Sequence, residues 1–224
     1  WSAVEHVAAL GLEWMETDLR LTADGVAVLS HDEDLRRTAN DPRTVGEVMW
    51  AELANLDSGD GRGFVRLDDV LYAHPTMKFN VDLKDSSVVQ AALQTVRDAE
   101  ALDRVRFASF SARRLAVLRR QEPRATTSLG VSDVLGLMLR SEAAVPLPQT
   151  RWGWTRGKVD AVQVPESYHG VPVVTRRFVA AAHTAGLEVH VWTVDEPDQM
   201  RRLAELNVDA IMTDVPTLAL QILG

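Results

Sequence analysis

The sequence predicts an α/β fold: a (β/α)8 barrel of the TIM type, lacking strand one in this chain, in a single domain over residues 1–224. Three observations predict it. Short β-rich apolar runs alternate with amphipathic stretches of roughly ten to fifteen residues, a pattern that favours parallel βα units. Seven of those runs can serve as barrel strands, and the leading helix has no strand in front of it. No G-x-G-x-x-G or Walker-type sequence marks the phosphate loop that a doubly wound open sheet usually shows.

The chain opens inside a helical segment, Ser2 to Leu10, with Val4, Val7, Ala8 and Leu10 at helical spacing. It begins at Trp1 without an initiator Met, so a further N-terminal segment is expected upstream. The first strand runs from Glu13 to Leu19. Val26 to Ser30 follows through the Ala23-Asp24-Gly25 turn with no helix between, and reads as a short extension. Met77 to Leu83, Val105 to Ser109, Thr126 to Gly130, Ala161 to Val164, Glu188 to Val194 and Ala210 to Met212 complete the seven. The helices expected are Val88 to Glu100, Ala112 to Gln121, Ser132 to Glu142, Arg176 to Ala185, Pro197 to Leu206 and Thr217 to Leu223. Asp214, with Pro216 and an apolar run behind it, reads as the cap of the last helix. The Gly-rich segment from Ser58 to Gly63 neither follows a strand nor opens a helix, so it reads as a surface loop rather than a phosphate cradle.

Composition narrows the function classes. With 224 residues, 46% of them hydrophobic, the chain can bury a sizeable core. A net charge of -8 argues against a broad basic surface for nucleic acid or anionic lipid, so a small-molecule partner is expected and a nucleic-acid partner is not. There is no cysteine, so a metal must be held by oxygen or imidazole. No run approaches the roughly 18 apolar residues of a spanning helix, and no integral membrane segment is expected. The compartment expected is the cytoplasm, with secretion left open because a leader would lie upstream of Trp1. Oligomeric state is not legible.

Glu16 and Asp18 lie two positions apart in a strand, so both side chains point to one face. In a barrel that face is the interior near the C-terminal mouth. Two carboxylates there repel unless one is protonated or a cation binds them, and hard cations such as Mg²⁺ and Ca²⁺ prefer carboxylate oxygens. Spacing alone leaves open the alternative of ordinary acids on a half-solvated edge. Phe79 to Lys84 repeats the arrangement, with Asn80, Asp82 and Lys84 on one face. Asp82 would add a third oxygen ligand. Lys84 would neutralise a phosphate oxygen or balance the acids; taken alone, a Lys–Asp pair at a strand end is more often structural. His31 stands at a strand terminus beside a loop, where catalytic groups concentrate, and imidazole titrates in the range useful for proton transfer. His6, His74, His169 and His183 read as structural or solvated, and His190 as packed within the barrel.

Beyond spacing, Glu16-Thr17-Asp18, Thr22-Ala23-Asp24-Gly25 and His31-Asp32-Glu33-Asp34-Leu35 with Arg37-Thr38 resemble the E-x-D, T-x-D-G and H-D-x-x-L-x-R-T series of glycerophosphodiester phosphodiesterases. Leu67 to Leu71 resembles that family's L-x-E-V-L helix, Asn80 to Lys84 its N-x-E-x-K strand, and Ser109-Phe110 its S-F strand end. Val191 to Val194 and Asp209 to Asp214 resemble its W-T-V and D-G-I-x-T-D blocks, so the resemblance spans nearly the whole chain.

The resemblance implies a phosphodiesterase-type barrel that binds Ca²⁺ or Mg²⁺ through Glu16, Asp18 and Asp82. It implies His31 as the general acid that protonates the leaving oxygen, Lys84 on the phosphate, and Trp192 as a wall of the alcohol pocket, with barrel core as the alternative for Trp192. The reaction implied is hydrolysis of a glycerophosphodiester to glycerol 3-phosphate and an alcohol. Two departures stand out. Asp82 is one methylene shorter than the family's usual Glu. The H-R-G and P-E-N segments, with a second catalytic His and a phosphate-binding Arg, are expected upstream of Trp1, so weak or no turnover is expected of the chain as it stands. Two alternatives remain: an inactive barrel that binds a ligand or partner, and a related phosphodiesterase acting on lysophospholipids.

Overall fold

A computed structural model describes residues 1–59, 61–142 and 158–224, arranged as two compact units, residues 1–109 and 110–224. Unit one carries helix α1 (Ser2–Ala9), strands β1 (Trp14–Leu21) and β2 (Ala27–Leu29), and short helices α2 (Arg36–Ala39) and α3 (Trp50–Leu53). It continues through β3 (Val65–Arg66), α4 (Leu67–Ala73), β4 (Lys78–Leu83), α5 (Val88–Asp98) and β5 (Val105–Ala108). Its strands lie in the order β5, β4, β1, β2, β3.

Strands β1, β4 and β5 pair in parallel, with Glu16 opposite Asn80 and Asp18 opposite Asp82. The alternation read from the sequence holds on β4: Phe79, Val81 and Leu83 are fully buried, and Asn80 and Asp82 project to the other face. Helix α5 buries Val88, Val89, Ala92, Leu93 and Val96, an i, i+1, i+4, i+5, i+8 stripe. Burial stabilises each of its larger side chains by about 1.5–3 kcal/mol. Trp14, at the start of β1, lies against the guanidinium of Arg106 at 4.6 Å and the ammonium of Lys78 at 5.5 Å.

The extension expected at Val26 to Ser30 is β2, which turns back antiparallel on the end of β1. Gly25, at φ +83°, makes the turn, and the Thr22 hydroxyl accepts the Val26 N–H at 2.9 Å. Beneath the following loop Val28, Leu35, Val45, Val48, Leu53 and Phe64 form a separate small core. Short helices α2 and α3 cover it. A reading of apolar period does not find elements this short.

In the Gly-rich loop, Asp60 lies outside the described residues. The Gly59 and Gly61 amides, which a phosphate cradle would need, both donate to the Asp57 carboxylate at 2.8 Å.

Unit two carries α6 (Ala112–Gln121), β6 (Thr126–Ser128), α7 (Val131–Glu142), β7 (Lys158–Pro165) and a small hairpin of β8 (Ser167–Tyr168) and β9 (Val171–Pro172). It ends with α8 (Arg176–Thr184), β10 (Glu188–Trp192), α9 (Pro197–Glu205), β11 (Ala210–Ile211) and α10 (Pro216–Leu223). Strands β6, β7, β10 and β11 pair in parallel in the order β11, β10, β7, β6. Val189 and Val191 of β10 pack with Phe178, Val179 and Ala182 of α8 and Met200 and Leu203 of α9. The Thr175 hydroxyl caps α8 by accepting the Phe178 N–H at 3.1 Å.

The seven runs expected as barrel strands are β1, β4, β5, β6, β7, β10 and β11. One expectation fails: Asp214 does not cap α10, whose N-cap is Val215 with no side-chain acceptor. Pro216 already fixes the first turn and lacks an N–H to be capped. Asp214 instead donates its own amide to Asp195 Oδ1 at 2.9 Å, and the Thr213 hydroxyl donates to the same oxygen.

Candidate active site

Register builds the centre of the site. Because Asp18 and Asp82 are partners on adjacent parallel strands, their carboxylates leave the sheet side by side, and Lys84, two residues beyond Asp82, returns to the same face. The Lys84 ammonium meets Asp18 Oδ1 at 2.7 Å and Asp82 Oδ2 at 2.8 Å. All three side chains are largely buried, at 15%, 11% and 17% exposure for Asp18, Asp82 and Lys84.

One ammonium faces two carboxylates, and the titration of the group follows from that. Burial pushes the Asp18 carboxyl up from its ordinary range, against the hydrogen bond from Lys84, and the nearby Asp82 charge adds to the rise. Burial would lower Lys84, but its two carboxylate partners outweigh this and hold it above the ordinary lysine range. Lys84 therefore stays charged, and an excess of negative charge remains on the acids.

That excess, on oxygen ligands alone, suits a hard divalent cation in chemistry. Glu16 lies one pleat earlier on the same face, opposite Asn80, and is exposed. Among the described residues it is not gathered with the two aspartates into a group of three metal-ligating side chains.

His31 hangs from the same strand. The Ser30 amide donates to the Asp18 carbonyl at 3.0 Å. Arg20, also on β1, donates through Nε and a terminal guanidinium nitrogen to the His31 carbonyl, both at 3.1 Å. The ring is 68% exposed, with Nδ1 2.8 Å from Asp32 Oδ1, while Arg37 Nε reaches Asp32 Oδ2 at 2.6 Å. The sequence reading gave Arg20, Asp32 and Arg37 no part, although Asp32 and Arg37 lie inside the motif quoted around His31. A basic residue five positions from an Asp, across a buried Leu, was the available signal.

Trp192 ends β10 in the second unit, partly exposed rather than in the core. Its ring meets Phe110 edge-on, with centroids 5.6 Å apart at 79°. His190 is buried on the same face of β10, with Nε2 3.0 Å from Glu188 and Nδ1 3.4 Å from the Gln163 side-chain amide. His183 pairs with Asp209 at 2.8 Å on the surface, and His169 sits at φ 49° in the β8–β9 turn.

Comparison with known proteins agrees with the residue pattern. The model of the glycerophosphoryl diester phosphodiesterase family matches residues 2–218. The probable glycerophosphodiester phosphodiesterase 2 of Mycobacterium tuberculosis is 36% identical over 214 residues, covering 95% of this chain and 80% of that protein. Two solved structures share the fold. A phosphodiesterase of Oleispira antarctica, in complex with the product sn-glycerol-3-phosphate, has a TM-score of 0.79 at 18% identity, over 99% of this chain and 89% of that one. A glycerophosphodiester phosphodiesterase of Parabacteroides distasonis has a TM-score of 0.78 at 21% identity, over 99% and 87%.

Proposed function

Since the chain belongs to the glycerophosphoryl diester phosphodiesterase family, with the α/β barrel fold that its sequence predicts, we propose that it hydrolyses glycerophosphodiesters to glycerol 3-phosphate and an alcohol. The observation that carries this reading for the chain's own residues is the meeting of Asp18, Asp82 and Lys84 on paired strands, with His31 following Ser30, whose amide is held on the Asp18 carbonyl.

Asp18 and Asp82, with Glu16 as a third arm, would hold a divalent cation, Ca²⁺ or Mg²⁺. Bound there, the cation would supply Lewis-acid polarisation of the phosphoryl group. Lys84 places a fixed positive charge beside the phosphate and stays protonated through the working range. His31 gives a proton to the leaving oxygen, which spares the departing alcohol from leaving as an alkoxide.

The test is glycerophosphocholine hydrolysis with and without chelator. Divalent-dependent glycerol 3-phosphate, lost in His31→Ala, supports the reading; turnover that survives EDTA or the His31 substitution opposes it.

One observation favours a second reading, a lysophospholipid substrate. Phe110 is 57% exposed, and its carbonyl accepts the Val131 N–H at 3.1 Å. From Val131 an exposed apolar stripe runs through Leu135 and Leu139 of α7 at i, i+4, i+8 spacing. Faster release of choline from lysophosphatidylcholine than from glycerophosphocholine would select this reading.

A further inference from the structure

His31 is exposed and on a loop, yet its ring is oriented from one side. An ionised carboxylate can only accept hydrogen bonds, so the 2.8 Å contact with Asp32 requires the His31 proton on Nδ1. Asp32 is ionised: the Arg37 guanidinium, at 2.6 Å, holds its carboxyl below the usual range, and the contact with His31 lowers it further. The backbone of the same residue is fixed by Arg20 on its carbonyl and by the preceding amide on Asp18. Ring and main chain are thus held by different partners. Among the described residues, the nitrogen of that ring with no hydrogen-bond partner is Nε2.

We propose that Asp32, backed by Arg37, is a positioning residue for proton delivery, fixing the His31 ring so that Nε2 faces the leaving oxygen and Nδ1–H stays on Asp32. Its catalytic half rests on the proposed phosphodiesterase reading. In that step a water oxygen bonds to phosphorus and releases a proton to solvent, the P–O bond to the alcohol breaks with its electron pair moving to oxygen, and the Nε2 proton of the imidazolium transfers to that oxygen. The neutral ring left behind is the Nδ1–H tautomer, which Asp32 already holds. Arg37 keeps Asp32 from taking the proton itself. Without Asp32, a solvated imidazole favours the opposite tautomer and samples other ring orientations.

Two measurements on the full chain test this. In ¹⁵N-labelled protein, long-range proton–nitrogen spectra assign the ring tautomer of neutral His31. We expect Nδ1–H in the wild type, a shift toward Nε2–H in Asp32→Ala, and partial retention in Asp32→Asn, whose amide oxygen still accepts. A wild-type ring in the Nε2–H form overturns the proposal whatever the turnover.

The second measurement compares a glycerophosphodiester with an alkanol leaving group against one releasing p-nitrophenol, which needs no protonation. General acid catalysis is worth about 10²–10⁴, and an exposed, water-competed contact should account for roughly ten- to a hundredfold of it. Asp32→Ala should therefore lower kcat on the alkanol ester at least tenfold and on the nitrophenyl ester less than threefold. His31→Ala should show the same pattern, larger. If His31→Ala lacks the leaving-group dependence, the general-acid reading fails. If His31→Ala shows it and Asp32→Ala does not, the positioning role fails while that reading stands.

Discussion

Replacing Lys84 by Met removes the ammonium that bridges two buried carboxylates and leaves a side chain of similar reach. Breaking a buried pair from one side costs about 3–5 kcal/mol, because the remaining charge stays desolvated. Exposure of 11–17% at the three side chains lets some water in, which places the loss at the lower end, about 3 kcal/mol. An upper bound comes from chemistry: a carboxylate can take up a proton instead, which at pH 7 costs about 4 kcal/mol from an ordinary Asp. Asp18, already raised by burial, is the group that would do so. Its folded value lies above its unfolded one, so it weakens the fold as pH rises, and the penalty of Lys84→Met should shrink by up to about 1.4 kcal/mol per pH unit on the acid side of 7. The assay is urea unfolding at pH 7 and pH 5, with and without Ca²⁺. A cation that binds only the folded form at a hundred times its Kd adds about 2.7 kcal/mol, and the gain should be larger in Lys84→Met than in wild type. Stability unchanged by the substitution, or a smaller Ca²⁺ gain in the variant, would refute the electrostatic account.

Asp82→Glu restores the methylene that the family pattern carries, so calorimetric titration should give Ca²⁺ or Mg²⁺ affinity several-fold tighter than wild type. Asp41→Asn tests a half-buried pair: the Asp41 carboxyl is lowered to about 2 by its hydrogen bonds with Arg43, against an unperturbed 3.8. Its contribution is complete above 3.8 and lost as pH falls through about 2, so the urea midpoints of wild type and variant should differ at pH 5 and converge by pH 2. Gly130→Ala would place a Cβ 2.4 Å from the Ala112 nitrogen and 2.5 Å from its Cα, both backbone atoms. Thermal unfolding should show a loss of about 1–3 kcal/mol, typical of overpacking.

The parts of the fold that repeat were legible. Seven strands announced themselves by β-rich runs of three or more residues, and α5 and α8 by one-sided apolar spacing. Short elements were not, because α2, α3, β3 and the β8–β9 hairpin take their shape from the small core beneath them or from left-handed residues such as His169 and Gly170. In the site, period two placed Asp82 and Lys84 on one face, but not which strand neighboured which. Only the parallel register that sets Asp18 opposite Asp82 turns three separate charges into one group. Asp32 and Arg37 were hidden for another reason: charged residues on a loop look solvated in sequence, and their contact depends on the turn that Leu35 anchors in its core. Asp214 was misread because a helix start with Pro216 in place needs no side-chain cap.

The most direct test of the central claim is ³¹P NMR of glycerophosphocholine incubated with the chain and Ca²⁺ or Mg²⁺. The account predicts that over a long incubation the diester resonance is slowly replaced by that of glycerol 3-phosphate, at the weak turnover expected of the chain as it stands, that EDTA stops the conversion, and that His31→Ala and a double Asp18→Asn, Asp82→Asn variant abolish it. No glycerol 3-phosphate with either cation, or equal conversion in EDTA or in the double variant, would contradict it.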